Sequence, residues 1–338
     1  MLLLDTLELN PTPRRPVWIM RQAGRYLASY RKLREKYSFD DFANQVDLAV
    51  QVSLLPLKQY ELDAAIVFSD ILLPLRCMGL KLSFEETGPV IVAPKTLEDI
   101  NKLKFEFDPE TQTPVIMGSL KELRKQIPKE KALLGFAGAP FTMLVYLLEG
   151  ELSKDLGVVR TWLRKDPKTC HRLLDFLANA MGNYLDAQAR AGADAVQLFD
   201  TWASILGPAD YEEFALPYAR RVISQVTVPS VYYINGMGSL FEQAQAVGAQ
   251  ALSVDWRTPL GEARNRISQV VALQGNLDPY HLLLPRAQLR EAVFEMCNSY
   301  GKDPGHIVNL GHGIVPNIPE ESVSYFIESV HEWSQVLA

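Results

Sequence analysis

The sequence has few cysteines and no long apolar run. Its three cysteines, Cys77, Cys170 and Cys297, lie far apart along 338 residues, and no Cys-x-x-Cys pair occurs. This pattern favours neither a disulfide framework nor a metal site, and a reducing cytoplasm is the simplest location for it. No apolar stretch approaches the roughly 20 residues that a membrane-spanning helix needs. We therefore expect a cytoplasmic protein with no membrane partner.

Acidic residues outnumber basic ones, 40 to 34, but one segment is strongly basic. The net charge of −6 argues against nucleic acid as a partner. The segment from Arg14 to Lys36 nonetheless contains eight basic residues and a single acid, Glu35. An acidic protein with one basic segment is typical of a local anion site, although a solvated basic helix face would have the same composition.

Short apolar runs alternate with helical stretches along the whole chain. The runs are too short for helices and rich in Val, Ile, Leu and aromatic residues, as in parallel strands buried on both faces. The predicted strands are Pro16–Met20, Ala64–Phe68, Leu133–Ala137, Ala195–Phe199, Ser230–Ile234, Ala251–Val254, Val270–Leu273 and Ile307–Leu310.

Eight strands that alternate with helices predict one α/β domain over residues 1–338, folded as a (β/α)8 TIM barrel. A doubly wound sheet is the alternative. No Gly-x-Gly-x-x-Gly follows a strand, which argues against the dinucleotide-binding form of that sheet.

Local signals predict three further features between the strands. Ser38 with Asp41, and Ser239 with Glu242, resemble capping boxes at helix starts. The excursion from Asp70 to Leu133 is long, and a hairpin is predicted within it, with strands at 80–84 and 90–93 around a turn at 87–89. Such an insertion could help to wall a pocket.

The active site of a barrel is built at the carboxyl ends of its strands. Arg21 and Arg25 follow the first predicted strand and lie four residues apart around Gly24. Both guanidinium groups could therefore grip carboxylates of one ligand, although two surface arginines with structural partners would look the same. Asp70 follows the second strand, where it could orient a cationic or N–H-bearing group or cap the next helix.

Three further residues lie beyond other strand ends, and each has an ordinary structural interpretation. His312, between two glycines, could bind an anion or shuttle protons, but a satisfied structural histidine is more usual. Tyr146 lies in an apolar helix, where a core aromatic is the default. Thr201 could simply cap the following helix. The acids Asp200 and Asp255 also follow strands.

Several blocks closely resemble signatures of the uroporphyrinogen decarboxylase family, in the family's order and over nearly the whole chain. They are residues 16–27 (PVWIMRQAGRYL), 68–72 (FSDIL), 135–142 (GFAGAPFT) continuing to Tyr146 and 149–150, 199–202 (FDTW), 273–279 (LQGNLDP) and 310–314 (LGHGI). The chain departs from the family at 28–29, where Ala-Ser replaces the common Pro-Glu, and at 203–204, where Ala-Ser replaces Gly-Gly.

The resemblance implies a single barrel domain, a homodimer and an enzyme that needs neither a metal nor an organic cofactor. The implied reaction removes CO2 from the four acetate side chains of uroporphyrinogen III and gives coproporphyrinogen III, in haem and chlorophyll synthesis. It implies substrate contacts by Arg21, Gln22, Ala23, Gly24, Arg25, Arg34, Asp70, Tyr146, Thr201 and His312, with Asp70 and Arg21 as the catalytic residues.

Two other functions remain as alternatives. Corrinoid-linked methyltransferases of the same superfamily bind zinc through a His-x-Cys pair and a later cysteine, but Gly313-Ile314 follows His312 and no His-x-Cys occurs. A non-catalytic tetrapyrrole carrier could use the same pocket. The presence of both Arg21 and Asp70 argues against a carrier.

Overall fold

The computed structural model describes residues 1–85, 88–94, 96–150, 155–268 and 270–337. A curled parallel sheet of seven strands runs in the order β1-β4-β5-β6-β7-β8-β9, and β2 and β3 form a separate antiparallel pair. The strands are β1 (Ala64–Ile66), β2 (Lys81–Glu85), β3 (Gly88–Val92), β4 (Ala132–Gly138), β5 (Ala195–Phe199), β6 (Ser230–Tyr233), β7 (Ala251–Ser253), β8 (Ala272–Leu277) and β9 (His306–Leu310).

Helices follow the strands and cover the outer face of the sheet, so the predicted α/β barrel class is confirmed. They are α1 (Leu2–Leu7), α2 (Ala28–Arg34), α3 (Phe39–Asn44), α4 (Val46–Gln59), α5 (Leu73–Cys77), α6 (Leu97–Asn101), α7 (Pro109–Gln112), α8 (Pro114–Gln126), α9 (Pro140–Glu149), α10 (Gly157–Lys165), α11 (Pro167–Arg190), α12 (Pro208–Phe214), α13 (Leu216–Gln225), α14 (Phe241–Gln245), α15 (Leu260–Arg266), α16 (Arg286–Tyr300) and α17 (Glu320–Leu337). Short 3₁₀ helices occupy Ala203–Ile205, Met237–Ser239 and Pro279–Leu283. Among the helices of the described residues, none has the length and apolar character that crossing a membrane requires.

Seven of the eight predicted strands form, because their apolar residues are buried on both faces of the sheet. Alternate residues of a strand belong to two hydrophobic cores. Ala64 and Ala132 point into the interior of the barrel, whereas Ala65 and Leu133 pack against the outer helices. The predicted strand at 270–273 was misplaced, since Val270 is 75% exposed and β8 runs from Ala272 to Leu277.

The remaining predicted strand, Pro16–Met20, is wrong as a regular strand. Within the described part of the chain, it makes a single parallel bridge, from Val17 to Val308 of β9. Pro16 has no N–H, and side chains accept hydrogen bonds from N–H groups that would otherwise bind a neighbouring strand. Asp63 accepts from the Val17 N–H (2.8 Å) and Asn309 from the Met20 N–H (3.0 Å).

Residues 16–20, here called the closing segment, still lie between the two edges of the sheet. The Val308 N–H donates to the Pro16 carbonyl, and the Asp63 N–H, just before β1, donates to the Val17 carbonyl, both at 2.9 Å. The closing segment therefore occupies the eighth position of the barrel without a regular ladder.

The inner core of the barrel contains polar side chains that bind one another. Gln274 accepts from the Trp18 indole N–H and donates to Gln197 and Ser253, each at 3.0 Å. All four residues are fully buried. These directional bonds tie the closing segment to β5, β7 and β8.

The local predictions had mixed outcomes. The capping box at Ser38 and Asp41 is present and starts α3. The one at Ser239 is absent, because Ser239 ends a 3₁₀ helix and Leu240 is the N-cap of α14 without a side-chain hydrogen bond. The predicted hairpin is confirmed as β2 and β3. Its turn was predicted at 87–89, but Gly88 and Pro89 belong to β3, and the connection at 86–87 lies outside the described residues.

The hairpin packs against the helix that carries Tyr146. Gly150 ends α9 with φ +67°, and a β-carbon there would lie 2.8 Å from Ala93 and 3.1 Å from the carbonyl of Ile91. The insertion thus meets the end of α9 through backbone that leaves no space for a larger residue.

Candidate active site

The loop that follows the closing segment presents two exposed arginines at the mouth of the barrel. Arg21 has φ +62°, a left-handed conformation that costs a non-glycine residue on the order of 1 kcal/mol. Its side chain lies across Gly313, where a β-carbon would overlap it. Arg21 and Arg25 are both exposed, so their charged ends are accessible to a ligand.

The residues between the two arginines shape this loop. The Gln22 side chain is buried, accepts from the Ile19 N–H (3.1 Å) and donates to the Ala64 carbonyl (3.1 Å). Its polar atoms therefore hold the loop against β1. Ala23 and Gly24 are half-buried, and a β-carbon on Gly24 would lie 3.0 Å from the Arg21 carbonyl. The tight turn thus favours glycine at this position.

Asp70 lies just beyond β1, next to Arg21. One carboxylate oxygen accepts from the Leu72 N–H at 2.7 Å, so the residue also holds the turn before α5. Burial raises the pKa of Asp70 to about 6, and the opposing effects of the Leu72 N–H and Arg21 are smaller. A carboxylate with few solvating groups is suited to stabilising a cationic ligand.

Tyr146 and Thr201 lie on neighbouring parts of the mouth. Tyr146 belongs to α9, and its ring meets that of Trp202 edge-on, with centroids 6.3 Å apart. Burial raises the pKa of Tyr146, and both Asp70 and Arg21 are close enough to affect it. Thr201 is half-buried in the turn after β5, and the 3₁₀ helix beyond it begins at Ala203 without a side-chain cap.

His312 lies on the other side of Arg21. Its ring contacts those of Tyr233 and Trp256 edge-on, with centroid distances of 6.3 and 6.4 Å. Burial, and next the positive charge of Arg21, lower the pKa of His312, so the imidazole is neutral at physiological pH. The structure therefore gathers Asp70, Tyr146 and His312 around Arg21.

Arg34 lies apart from this group, at the end of α2. Its guanidinium donates to the Tyr37 carbonyl (3.0 Å) and lies 5.9 Å from the ring centre of Phe42. These contacts are local to the α2–α3 region. A direct role for Arg34 at the mouth stays a prediction.

Two buried acids support the loops of the mouth. Asp200 accepts from the Thr142 hydroxyl (2.8 Å) and from Tyr232 (2.7 Å), and burial raises its pKa to about 6. It therefore joins the start of α9, the helix that carries Tyr146, to the turn after β5, which carries Thr201. Asp255 accepts from the N–H groups of residues 236, 237 and 257. Both acids follow predicted strands, and this position indicated that they lie at the mouth; the structure adds that they support its loops.

Two exposed or aromatic groups of the mouth were not singled out from the sequence. Tyr233, the last residue of β6, donates to the Gly311 carbonyl at 3.3 Å and borders His312. Arg257, two residues beyond Asp255, has an exposed side chain. The rule that selects strand ends would have included both, because each lies within four residues of the end of a strand.

The arrangement combines two exposed guanidinium groups with a less exposed carboxylate, Asp70. Such a site suits a ligand that carries carboxylates together with a cationic or N–H-bearing group. Among the described residues, no group of three or more His, Cys, Asp or Glu side chains is placed to hold a metal ion.

Comparison with known proteins agrees with this chemistry. The family model described as uroporphyrinogen decarboxylase matches residues 1–333. A protein of that name from Gloeobacter violaceus is 42% identical and covers 100% of this chain and 99% of its own. Its counterpart from Geobacter metallireducens is 40% identical and covers 98% of each.

Solved structures with low sequence identity share the fold. A methyltransferase from Methanosarcina mazei superposes with a TM-score of 0.81 at 19% identity, covering 98% of this chain and 97% of that one. A B12-independent methionine synthase from Shewanella gives a TM-score of 0.61 at 11% identity, covering 89% of each chain. At these identities the likeness concerns the barrel alone.

Proposed function

We propose, because this chain belongs to the uroporphyrinogen decarboxylase family, that it removes CO2 from the four acetate side chains of uroporphyrinogen III and gives coproporphyrinogen III. It is then a carboxy-lyase of tetrapyrrole biosynthesis. The observation that carries the proposal is similarity at about 40% identity, over almost the full length, to proteins of that name.

The chemistry requires an electron sink, which the substrate itself can supply. Loss of CO2 breaks a carbon–carbon bond and leaves an electron pair on the former acetate carbon. A pyrrole ring that has gained a proton accepts this pair. A second proton then adds to the side-chain carbon and completes the methyl group, and the ring releases the first proton to become a neutral pyrrole again. The protein must stabilise a cationic ring and hold several carboxylates, and we infer that it needs no cofactor for either task.

Asp70 is our candidate for stabilising the reacting ring. Its carboxylate lies at the mouth in poorly solvated surroundings, next to Arg21. An ionic interaction with the pyrrole N–H groups would strengthen as the ring becomes cationic, so it would favour the transition state over bound substrate.

Arg21 and Arg25 are proposed to bind and orient substrate carboxylates. A guanidinium holds its proton strongly, so Arg21 is a poor general acid in principle, and orientation is the role that we assign to it. Further contacts are proposed for Gln22, Ala23, Gly24, Arg34, Tyr146, Thr201 and His312. For Gln22, whose side chain binds backbone groups, that contact would be made by its own backbone.

We further infer a single domain and a homodimer, as the family resemblance implies, and a cytoplasmic location, to which the cysteine pattern points. Sedimentation velocity at several protein concentrations tests the dimer. A single species with the mass of one 38.0 kDa chain at micromolar concentration would contradict it.

A turnover assay with uroporphyrinogen III under reducing, anaerobic conditions tests the function. We expect the eight-carboxylate substrate to be converted to a four-carboxylate product, resolved by chromatography after oxidation. Tight binding without loss of CO2 would instead indicate a carrier. Zinc-dependent methylation of a thiol would indicate a methyltransferase.

A further inference from the structure

Arg257, just beyond β7, is held by its neighbours in a defined orientation. Its guanidinium Nη1 donates to Asp255 and to Asn235, both at 3.0 Å. The guanidinium carbon lies 4.3 Å from the ring centre of Trp256. Hydrogen bonds on one edge and an aromatic face beneath the plane fix the planar group, so little conformational entropy remains to be lost when it binds an anion.

The partner of Arg257 is itself fixed. Asp255 is 1% exposed, and its carboxylate also accepts from the N–H groups of Gly236 (2.8 Å), Met237 (3.2 Å) and Arg257 (3.0 Å). The buried carboxylate therefore holds one edge of the guanidinium in place. The Arg257 side chain itself is 52% exposed. Among the described residues, the structure records no hydrogen-bond partner for Nε or Nη2 of Arg257, which leaves one edge of the fork to a ligand.

The position of Arg257 places it across the mouth from Asp70. Around the barrel the order is the closing segment, β1, β4, β5, β6, β7, β8 and β9. Asp70 follows β1 and Arg257 follows β7, so they lie four positions apart in a circle of eight. Arg257 also lies near His312 and Tyr233, since its charge acts on both groups: burial and then nearby cations lower the pKa of His312, whereas burial raises the pKa of Tyr233 and Arg257 opposes that rise. Trp256, on which it stacks, borders His312 directly.

We propose that Arg257 forms a further carboxylate subsite, which binds a peripheral carboxylate of the tetrapyrrole on the side of the mouth opposite Asp70. This inference rests on the proposed function, because it takes an octa-acid as the ligand. Such a molecule carries carboxylates around its whole edge. Arg21 and Arg25 both follow the closing segment, whereas Arg257 follows β7, three positions away around the barrel and opposite Asp70. Arg257 would therefore hold a carboxylate remote from the ring that Asp70 stabilises, and so contribute to affinity and orientation.

Uroporphyrin binding tests this inference apart from catalysis, since the oxidised macrocycle carries eight carboxylates and does not react. Fluorescence titration of the full-length protein with uroporphyrin III would compare wild type, Arg257→Gln and Arg257→Lys. We expect about tenfold weaker binding for Arg257→Gln, because a half-exposed charge-assisted pair is lost. Arg257→Lys keeps the charge but not the fork, and we expect an intermediate affinity.

Arg290→Gln is the matched control. Arg290 is an arginine of α16 that also stacks on an aromatic ring, Phe294 (4.1 Å), and pairs with a carboxylate, Glu332 (2.8 Å). It is 42% exposed on the outer helical layer, so we expect its loss to leave uroporphyrin affinity unchanged.

In the turnover assay, Arg257→Gln should raise KM by a similar factor, with a much smaller change in kcat. Wild-type affinity for uroporphyrin in Arg257→Gln, or an equal loss in Arg290→Gln, would overturn the inference. If Arg257→Gln does not unfold cooperatively, Arg257→Lys decides, and wild-type affinity there would overturn it. A wild-type protein that binds uroporphyrin but releases no CO2 would instead overturn the proposed function.

Discussion

At the scale of single residues, Asp70 shows how burial sets both reactivity and stability. The same poorly solvated surroundings that suit it to a cationic ring also raise its pKa to about 6. Ionised Asp70 is therefore less stable in the folded protein than in water, and the folded state must carry this cost near neutral pH. A residue that is useful for catalysis is here expected to be unfavourable for folding.

The substitution Asp70→Asn should separate these two effects. We expect kcat to fall at least 100-fold, as when a group that stabilises transition-state charge is removed. An asparagine oxygen can still accept from the Leu72 N–H, so the turn should persist. The control is Asp108→Asn, an exposed aspartate that likewise accepts from a backbone N–H two residues ahead, and its kcat should not change. Near-normal kcat in Asp70→Asn would remove Asp70 from the mechanism.

Stability should respond to the same substitution in the opposite direction. Because the folded pKa of Asp70 is raised, its favourable contribution is complete below about pH 4 and is lost as pH rises through about 6. Asp70→Asn should therefore be more stable than wild type at pH 7, by about 1 to 3 kcal/mol, with the difference vanishing near pH 4. Urea denaturation at both pH values measures this. A difference that grows as the pH falls would contradict the assignment.

The carboxylate binding that we propose for Arg21 depends on the shape of its side chain as well as on its charge. Arg21→Lys keeps the charge but loses the two-pronged geometry for carboxylates, so we expect kcat/KM to fall about 10- to 100-fold. The matched control is Arg286→Lys, whose arginine pairs with Glu328 (3.0 Å) on the outer helices. Steady-state kinetics with uroporphyrinogen III make the comparison. Unchanged kcat/KM in Arg21→Lys would show that a point charge is sufficient.

At the scale of elements, the closing segment connects stability with the site. Asp63 is 6% exposed, pairs with Arg14 through two hydrogen bonds (2.6 and 2.7 Å) and accepts from the Val17 N–H. It thus holds the segment that leads directly into Arg21. Any loosening of this segment should move the arginine loop as well.

Asp63→Ala should accordingly lower both stability and activity. We expect a loss of about 3 kcal/mol, because a buried N–H and a partly buried guanidinium lose their partner. The control Asp175→Ala removes an exposed partner of Arg221 (2.7 Å) and should cost less than about 1 kcal/mol. Urea denaturation and kcat/KM give the two readouts. A stability loss with unchanged kcat/KM would show that the loop holds its position independently.

The sequence predicts the strands more reliably than it predicts the side-chain contacts between distant parts of the chain. Seven strands follow from continuous apolar runs, and the barrel rule then selects Arg21, Asp70 and His312. The closing segment was misjudged because its hydrogen bonds go to the side chains of Asp63 and Asn309, which lie about 45 and 290 residues away along the chain. Arg257 could have been found by the same barrel rule, since it follows β7 by four residues, but part of its orientation depends on Asn235, 22 residues earlier.

At the scale of the whole molecule, none of the three cysteines belongs, within the described residues, to a group of three or more His, Cys, Asp or Glu side chains placed to hold a metal ion. Burial raises the pKa of Cys170 to about 12 and that of Cys297 to about 11, and it also raises the pKa of Cys77. Zinc binds the thiolate form, and burial makes that form more costly at each of these thiols. Dialysis against a chelator should therefore leave kcat and KM unchanged. Activity that is lost on dialysis and restored by zinc would contradict this expectation.

The closing segment also has a consequence for synthesis on the ribosome. Residues 16–20 emerge early, but their bridge partner Val308 lies nearly 300 residues later. Until β9 has left the exit tunnel, Trp18 and Met20 have an incomplete inner core, and the loop of Arg21 has no Gly313 against which to lie. The nascent chain can form its helices and adjacent strands in order. The arginine loop, however, reaches its final conformation only when translation is almost complete. A chain interrupted before β9 should therefore lack both His312 and an ordered arginine loop, however much of the barrel it has already made.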